Sequence, residues 1–258
     1  MIEINLSESA GVVRPLFKET VPDGPRLYSA LNNRHPAIAL ADSVDHPRWC
    51  VLRSSWFGCT FIGGEIEPDV LDLAITKLRE TGDILLNLAG PHAASLPLGV
   101  MDMERRVEFY DCPSDDISID RLIASAPARL KVSPVTRDSF NHCAWRDQLL
   151  WLYKTDSAYL EQSIGFVLLD GEQILSEAHA FFWGDTIVEI GVITADGHCG
   201  LGYASVVSAR LIRACEERGY STYWGCSADN PASIAVARKL GYRAEKNYAN
   251  AYYPAAPR

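Results

Sequence analysis

One stretch limits what this chain can fold into more than any other. Residues Ile187-Val-Glu-Ile-Gly-Val-Ile-Thr194 read as a strand, and Gly197-His-Cys-Gly-Leu-Gly202 as a glycine-rich turn. A long helix follows from about Leu201 to Arg218, with Ala204, Val207, Leu211, Ala214 and Cys215 apolar at helical spacing and Gly219 placed to cap its end. A turn that runs into a helix start aims several unpaired backbone N–H groups one way. The positive end of the helix dipole adds to them, so such a unit binds a phosphate or pyrophosphate without needing lysines. Glycine is required because a side chain would block close approach and because the turn calls for positive φ.

The surroundings decide which phosphate ligand fits. A Rossmann fingerprint needs GxGxxG after the first strand of a βαβ unit, and a Walker loop needs Gly-Lys-Ser/Thr. Here the turn follows an antiparallel meander: Ile164–Leu169, the hairpin signal Asp170-Gly171, Ile174–Trp183, then Ile187–Thr194. Both nucleotide readings lose on that order. After the long helix come a strand at Ser221–Ser227, a helix from Asn230 ending at Gly241, and strand-like aromatics from Tyr242 to Tyr253. Upstream, a single helix is expected over Phe140–Tyr153, with Trp145, Leu149, Leu152 and Tyr153 on one side.

The first half carries weaker patterns. Strands are expected at Ala37–Ala41, Trp49–Arg53 and Trp56–Ile62, a helix at Pro68–Arg79, and strands at Ile84–Leu88 and Arg105–Tyr110. That order loosely echoes the second half. The polar, turn-rich segment Asp111–Ser118 is the best linker, so two domains are expected, at residues 1–115 and 128–258.

From about Leu130 to Arg258 the chain resembles the GNAT superfamily of N-acetyltransferases. The resemblance rests on the meander, the x-x-G-x-G/A turn at His198–Gly202, the helix, the strand Thr222–Ser227, and Asn-Pro-Ala-Ser-Ile-Ala-Val-Ala-Arg-Lys-Leu-Gly-Tyr from Asn230 to Tyr242. It is closest in pattern to a two-domain bacterial subfamily in which a degenerate GNAT-like half precedes the catalytic half. The fold it implies is α+β: a mixed sheet flanked by helices in the C-terminal half, after a smaller α/β GNAT-like domain. The activity it implies is transfer of acetyl from acetyl-CoA to a primary amine by direct attack. Val192, Ile193 and Thr194 would then offer backbone groups to the pantetheine arm. His198, Cys199, Gly200, Leu201, Gly202, Tyr203 and Ala204 would cradle the pyrophosphate, while Asn230 would face the cofactor and Ser233 pack beside its arm. Asn230 also suits a helix N-cap.

Glu189, on the strand beside the expected cofactor, is the candidate general base, directly or through water; a strand-face carboxylate in an ion pair is its bland alternative. The superfamily usually has Gln or Arg where Gly197 stands and a basic residue where Cys199 stands. The tyrosine that often protonates the leaving thiolate falls at Ala237. Tyr248, or else Tyr223, is expected to replace it. A catalytic Cys199 thiol is disfavoured, because the side chains of Cys199 and its neighbour His198 diverge. A non-catalytic acyl-CoA-binding or regulatory module is the competing reading, and a partner-binding scaffold a third.

Composition narrows the rest. A chain of 258 residues, 48% hydrophobic with net charge −9, has globular character and lacks the positive field that attracts nucleic acid or anionic lipid. Its acidity suits a cationic small molecule such as a polyamine or an aminated antibiotic. Seven cysteines without CxxC pairing argue against a zinc ribbon or a disulfide framework, so no metal is expected. No leader peptide or membrane-length apolar run is visible, and a cytoplasmic monomer or homodimer is expected.

Overall fold

The structure, a computed structural model, describes residues 1–17, 21–88, 101–110 and 116–257. It divides into two compact units, one of residues 1–108, 227–229 and 246–258, the other of residues 109–226 and 230–245. The expected linker residues 111–115 lie outside the described residues.

In the first unit the chain forms β1 (Ile2–Ile4), α1 (Leu6–Val13), a 3-10 turn at Arg14–Leu16, α2 (Gly24–Leu31), β2 (Ala37–Ala41), β3 (Trp49–Ser54), β4 (Cys59–Gly64), α3 (Pro68–Arg79), β5 (Ile84–Leu88) and β6 (Asp102–Tyr110). Period-two alternation sorts this sheet into two faces. Ala39, Ala41, Cys50, Leu52 and Phe61 join Leu27 and Leu31 of α2 in one core. Leu40, Val51, Ile62, Ile84 and Leu86 join Leu71, Ala74, Ile75 and Leu78 of α3 in the other.

The remaining elements are α4 (Asp116–Ala124), β7 (Lys131–Pro134), α5 (Arg137–Phe140), α6 (Arg146–Tyr153), α7 (Asp156–Gln162), β8 (Gly165–Asp170), β9 (Gln173–Trp183), β10 (Ile187–Thr194), α8 (Tyr203–Glu216), β11 (Ser221–Ser227), α9 (Pro231–Lys239) and β12 (Ala244–Tyr253). Within the second unit the strand order is β11-β10-β9-β8-β7. β7 to β10 are antiparallel, and β11 is parallel to β10. The expected meander and its α+β class are present. α8 buries Val206, Val207, Leu211, Ile212 and Cys215 against it.

Three expectations need correction. The last strand was assigned to the second domain, but residues 246–258 belong to the first unit, because Ala249–Tyr253 pair antiparallel with Leu88–Ile84. Ala251 and Tyr253 are fully buried in the core over α3, which fixes that pairing. The strand expected from Trp56 starts at Cys59 instead, since Phe57 and Gly58 both take positive φ (50° and 69°) and turn the chain. The helix expected over Phe140–Tyr153 is broken at 141–145. There the amides of Ala144 and Trp145 donate to the Glu177 carboxylate at 2.8 and 3.0 Å rather than to carbonyls of their own helix. Among the described residues, no helix is long and apolar enough to cross a membrane.

Candidate active site

The site begins where two strands part. β10 and β11 pair in parallel only over Ile187–Glu189 and Ser221–Tyr223, although β10 runs on to Thr194 and β11 to Ser227. Beyond Glu189 the β11-facing edge of β10 has no β11 partner. Alternate backbone groups of Ile190–Thr194 are thereby left for a ligand lying along the strand.

The glycine turn lies at the end of that edge. Gly197, Gly200 and Gly202 hold φ of 82°, 79° and 83°, so the positive φ expected of the turn is present at each. A Cβ at Gly197 or Gly200 would meet nothing within 4 Å, so the surface above the turn is open. Gly202 is the N-cap of α8, and the first intrahelical bond there runs from the Val206 N–H to the Gly202 carbonyl at 3.3 Å. The N–H groups of Tyr203, Ala204 and Ser205 precede it and point out of the helix end. A pocket of about 270 Å³ opens over this end, lined by Thr194, His198, Gly200, Gly202, Tyr203 and Ala204. These are six of the residues expected to bind the cofactor.

The same pocket is walled by α9, and here the sequence reading missed a residue. Lys239, in the last turn of α9, lines the pocket, and its Nζ lies 3.6 Å from the position a Cβ would take on Gly202. The turn lacks a basic side chain at Gly197 and Cys199, and Lys239 brings a cation to it from another helix. Nothing in local spacing announces this, since it depends on how α9 docks. A pyrophosphate over this turn meets open glycines, a helix N-terminus and an ammonium, so the donor set fits CoA. Lys239→Glu is expected to raise the dissociation constant for acetyl-CoA roughly tenfold, the size of one charge-assisted contact. The loss should shrink as salt rises. Isothermal titration at low and high ionic strength measures both.

Other expected cofactor residues take their places around this edge. Val192 and Ile193 are half-buried on β10, Cys199 is exposed, and Leu201 is exposed on the outside of the turn. Asn230 is the N-cap of α9, its Oδ1 accepting from the Ser233 N–H at 3.0 Å. Ser233 Oγ in turn accepts from Trp224 Nε1 at 3.0 Å, tying α9 to β11.

A second face carries the candidate chemistry. Glu189 and Tyr223 are register partners on parallel strands, so their side chains leave the sheet on the same side, at the last pair before the strands part. Further along this face of β10, the Trp145 ring lies against Gly191; a Cβ on that glycine would be 2.9 Å from the indole. Tyr248 belongs to the first unit, is hydrogen bonded to Arg106, and burial pushes its phenol well above the ordinary value, which makes it a poor acid at neutral pH.

Behind Trp145 lies a buried polar chain. Tyr159 Oη meets His179 Nδ1 at 2.7 Å, His179 Nε2 meets Glu177 Oε1 at 3.2 Å, and Glu177 binds the two loop amides. Burial alone would raise the Glu177 carboxyl. The hydrogen bond and charge of His179 and the two amides outweigh burial and hold it below its ordinary value near 4.5. A depressed carboxyl stabilises the fold above its unfolded value and loses that contribution as pH falls. Thermal melts from about pH 6 down to about pH 3 should therefore show an acid-dependent loss, beginning only below about pH 5.5, that is smaller in Glu177→Gln.

Among the described residues, the first unit has no second cradle of this kind between a strand and the helix that follows it. Its counterpart strand β4 passes to α3 through Glu65-Ile-Glu67 alone, with Pro68 and Asp69 opening the helix. Carboxylates at that helix start repel a phosphate where glycines would admit one.

A mixed sheet flanked by helices, with a glycine turn after the strand that parts from its parallel neighbour, is the GNAT fold. The family model described as GNAT acetyltransferase matches residues 14–252, and the chain belongs to that family, whose co-substrate is acetyl-CoA. An uncharacterized N-acetyltransferase, YdfB of Bacillus subtilis (strain 168), is 35% identical over 92 residues, which is 36% of this chain and 35% of that protein. The match thus spans about a third of that relative's length. Among solved structures, a GCN5-related N-acetyltransferase-like protein from Streptococcus suis 89/1591 aligns with TM-score 0.72 and 23% identity, over 97% of this chain and 100% of the other. A tandem GNAT protein from the clavulanic acid biosynthesis pathway aligns with TM-score 0.65 and 11% identity, over 100% and 99%. At these identities the likeness concerns the fold.

Proposed function

We propose that the second unit transfers an acetyl group from acetyl-CoA to a primary amine. The observation that carries this reading is the placement of Glu189 and Tyr223, paired at the last register position before β10 and β11 part, on an edge that ends in the glycine turn. Bound acetyl-CoA would supply an activated acetyl group as a thioester. The turn, the start of α8 and Lys239 bind its phosphates, and the unpaired edge of β10 orients its arm. Glu189 takes one proton from the incoming ammonium, directly or through water, leaving a nucleophilic nitrogen. A second amine proton passes to water as the N–C bond forms and the C–S bond breaks, and from water a proton returns to the Tyr223 phenolate. Tyr223 Oη holds a proton for the departing sulfur.

One observation favours a second reading, a module that binds acyl-CoA without transferring it. Ala237, where the family's usual acid stands, is fully buried and has no hydroxyl to offer. Free thiol released from acetyl-CoA, followed with and without amine, separates the two. Amine-dependent release supports transfer; binding with only slow, amine-independent release overturns it.

A further inference from the structure

We propose that the acceptor is a primary amine carried on a flat apolar body, an aralkylamine, seated on Trp145. The proposal rests on the acetyltransferase reading above and names its substrate class. Along β10, Glu189, Gly191 and Ile193 share one face by strand alternation. β9 carries one residue more than β10 at this point: Phe182 pairs with Glu189 and Ala180 with Ile190, so Phe181 is the extra residue of a bulge. The bulge brings Phe181 within 3.0 Å of the position of a Gly191 Cβ, on the side where the Trp145 ring lies. Trp145 and Phe181 meet edge to face, their centroids 5.1 Å apart at 79°. An aromatic wall therefore stands directly on the strand backbone, one alternate position from the candidate base.

That wall is held in place at some cost. Glu177 is 1% exposed, and a carboxylate so buried is tolerated only when fully bonded. Its bonds go to His179 and to the Ala144 and Trp145 amides, so the buried charge fixes the loop from which the indole projects. Gly191 completes the arrangement, since any side chain there would push the ring off the strand. Trp145 itself is half-buried.

The chemistry of the face points to one class of amine. Next to Glu189 and Tyr223 the positions are glycine, isoleucine, tryptophan and phenylalanine, and the face's other carboxylate, Glu177 opposite Ile193, is buried and already bonded to His179 and two amides. An aralkylamine sets its ammonium by the Glu189 carboxylate and its ring against Trp145, and the indole also favours a nearby cation. A polyamine would place its further charges against apolar rings rather than carboxylates. The bonds made and broken are those given above.

The test compares 2-phenylethylamine and tryptamine with 1,4-diaminobutane and spermidine as acceptors at saturating acetyl-CoA. The aralkylamines should show KM values at least about tenfold lower, the scale of one aromatic contact plus its buried area. Trp145→Ala should raise their KM by roughly the same factor. It should leave the KM for acetyl-CoA unchanged and raise that of the diamines less, and Trp145→Phe should restore most of the loss. Ligand-observed NMR of 2-phenylethylamine with the free protein should show binding that Trp145→Ala removes, a readout that needs no turnover. Equal or better use of the diamines, or a KM ratio untouched in a folded Trp145→Ala, overturns the proposal alone. If no amine of either class promotes thiol release, the acetyltransferase reading fails and takes this inference with it.

Discussion

Replacing Gly202 with glutamate is expected to abolish the thermal stabilisation that excess acetyl-CoA gives the wild-type protein. Ligand at a hundredfold over its dissociation constant stabilises by about 2.7 kcal/mol, a shift of roughly 5–10 °C for a unit of this size. Gly202 holds a φ of 83° at the N-cap of α8, a conformation that L residues adopt at a cost of about 1 kcal/mol or more. More important is where the new carboxylate goes. The Cβ would lie 3.6 Å from Lys239 Nζ, so the added anion neutralises the cation nearest the turn and occupies the mouth of the pocket. Gly202→Ala separates the two causes: it carries the backbone strain without the charge, so it should melt lower yet keep most of the ligand shift. A Gly202→Glu protein that still shifts fully would remove the turn from the binding site.

The second large effect is on turnover. Glu189→Gln should lower amine-dependent thiol release by roughly a hundred- to ten-thousand-fold, the usual contribution of a positioned base. The acetyl-CoA thermal shift should survive, because Glu189 stands where β10 and β11 part and not at the glycine turn. The loss should fall on kcat/KM for the amine and ease at high pH, where more of the amine arrives already deprotonated. Tyr223→Phe should instead slow the reaction with less dependence on the pKa of the amine, since its role concerns the leaving sulfur. A Glu189→Gln protein with wild-type turnover would assign the carboxylate to strand packing.

These predictions draw on parts of the protein that differ in how far sequence discloses them. The strand, glycine turn and long helix were legible because their causes are local. Alternation, helical spacing, positive-φ glycines and the Asn230 cap act within a few residues of one another, and the structure has each where the pattern puts it. The Asp170-Gly171 hairpin is of the same kind, with Gly171 at a φ of 61°. The first unit's central strands β2, β3 and β5 and its helix α3 were likewise readable from short apolar runs.

Tertiary structure decided the rest. No local pattern sets Lys239 beside Gly202, because that depends on the docking of α9. Nor does one break the helix expected over Phe140–Tyr153, where a carboxylate 33 residues on captures the Ala144 amide. The same bond brings Trp145 onto Gly191, so the aromatic wall exists only after β9 and β10 have paired. The last strand reads as any strand does, and its partner is chosen by the buried Ala251 and Tyr253 side chains over α3. Sequence alone thus determined the glycine turn, since backbone torsions are set by neighbouring residues. The tertiary structure decided the cation and the aromatic wall beside it, because those contacts form only when distant segments bury their apolar faces together.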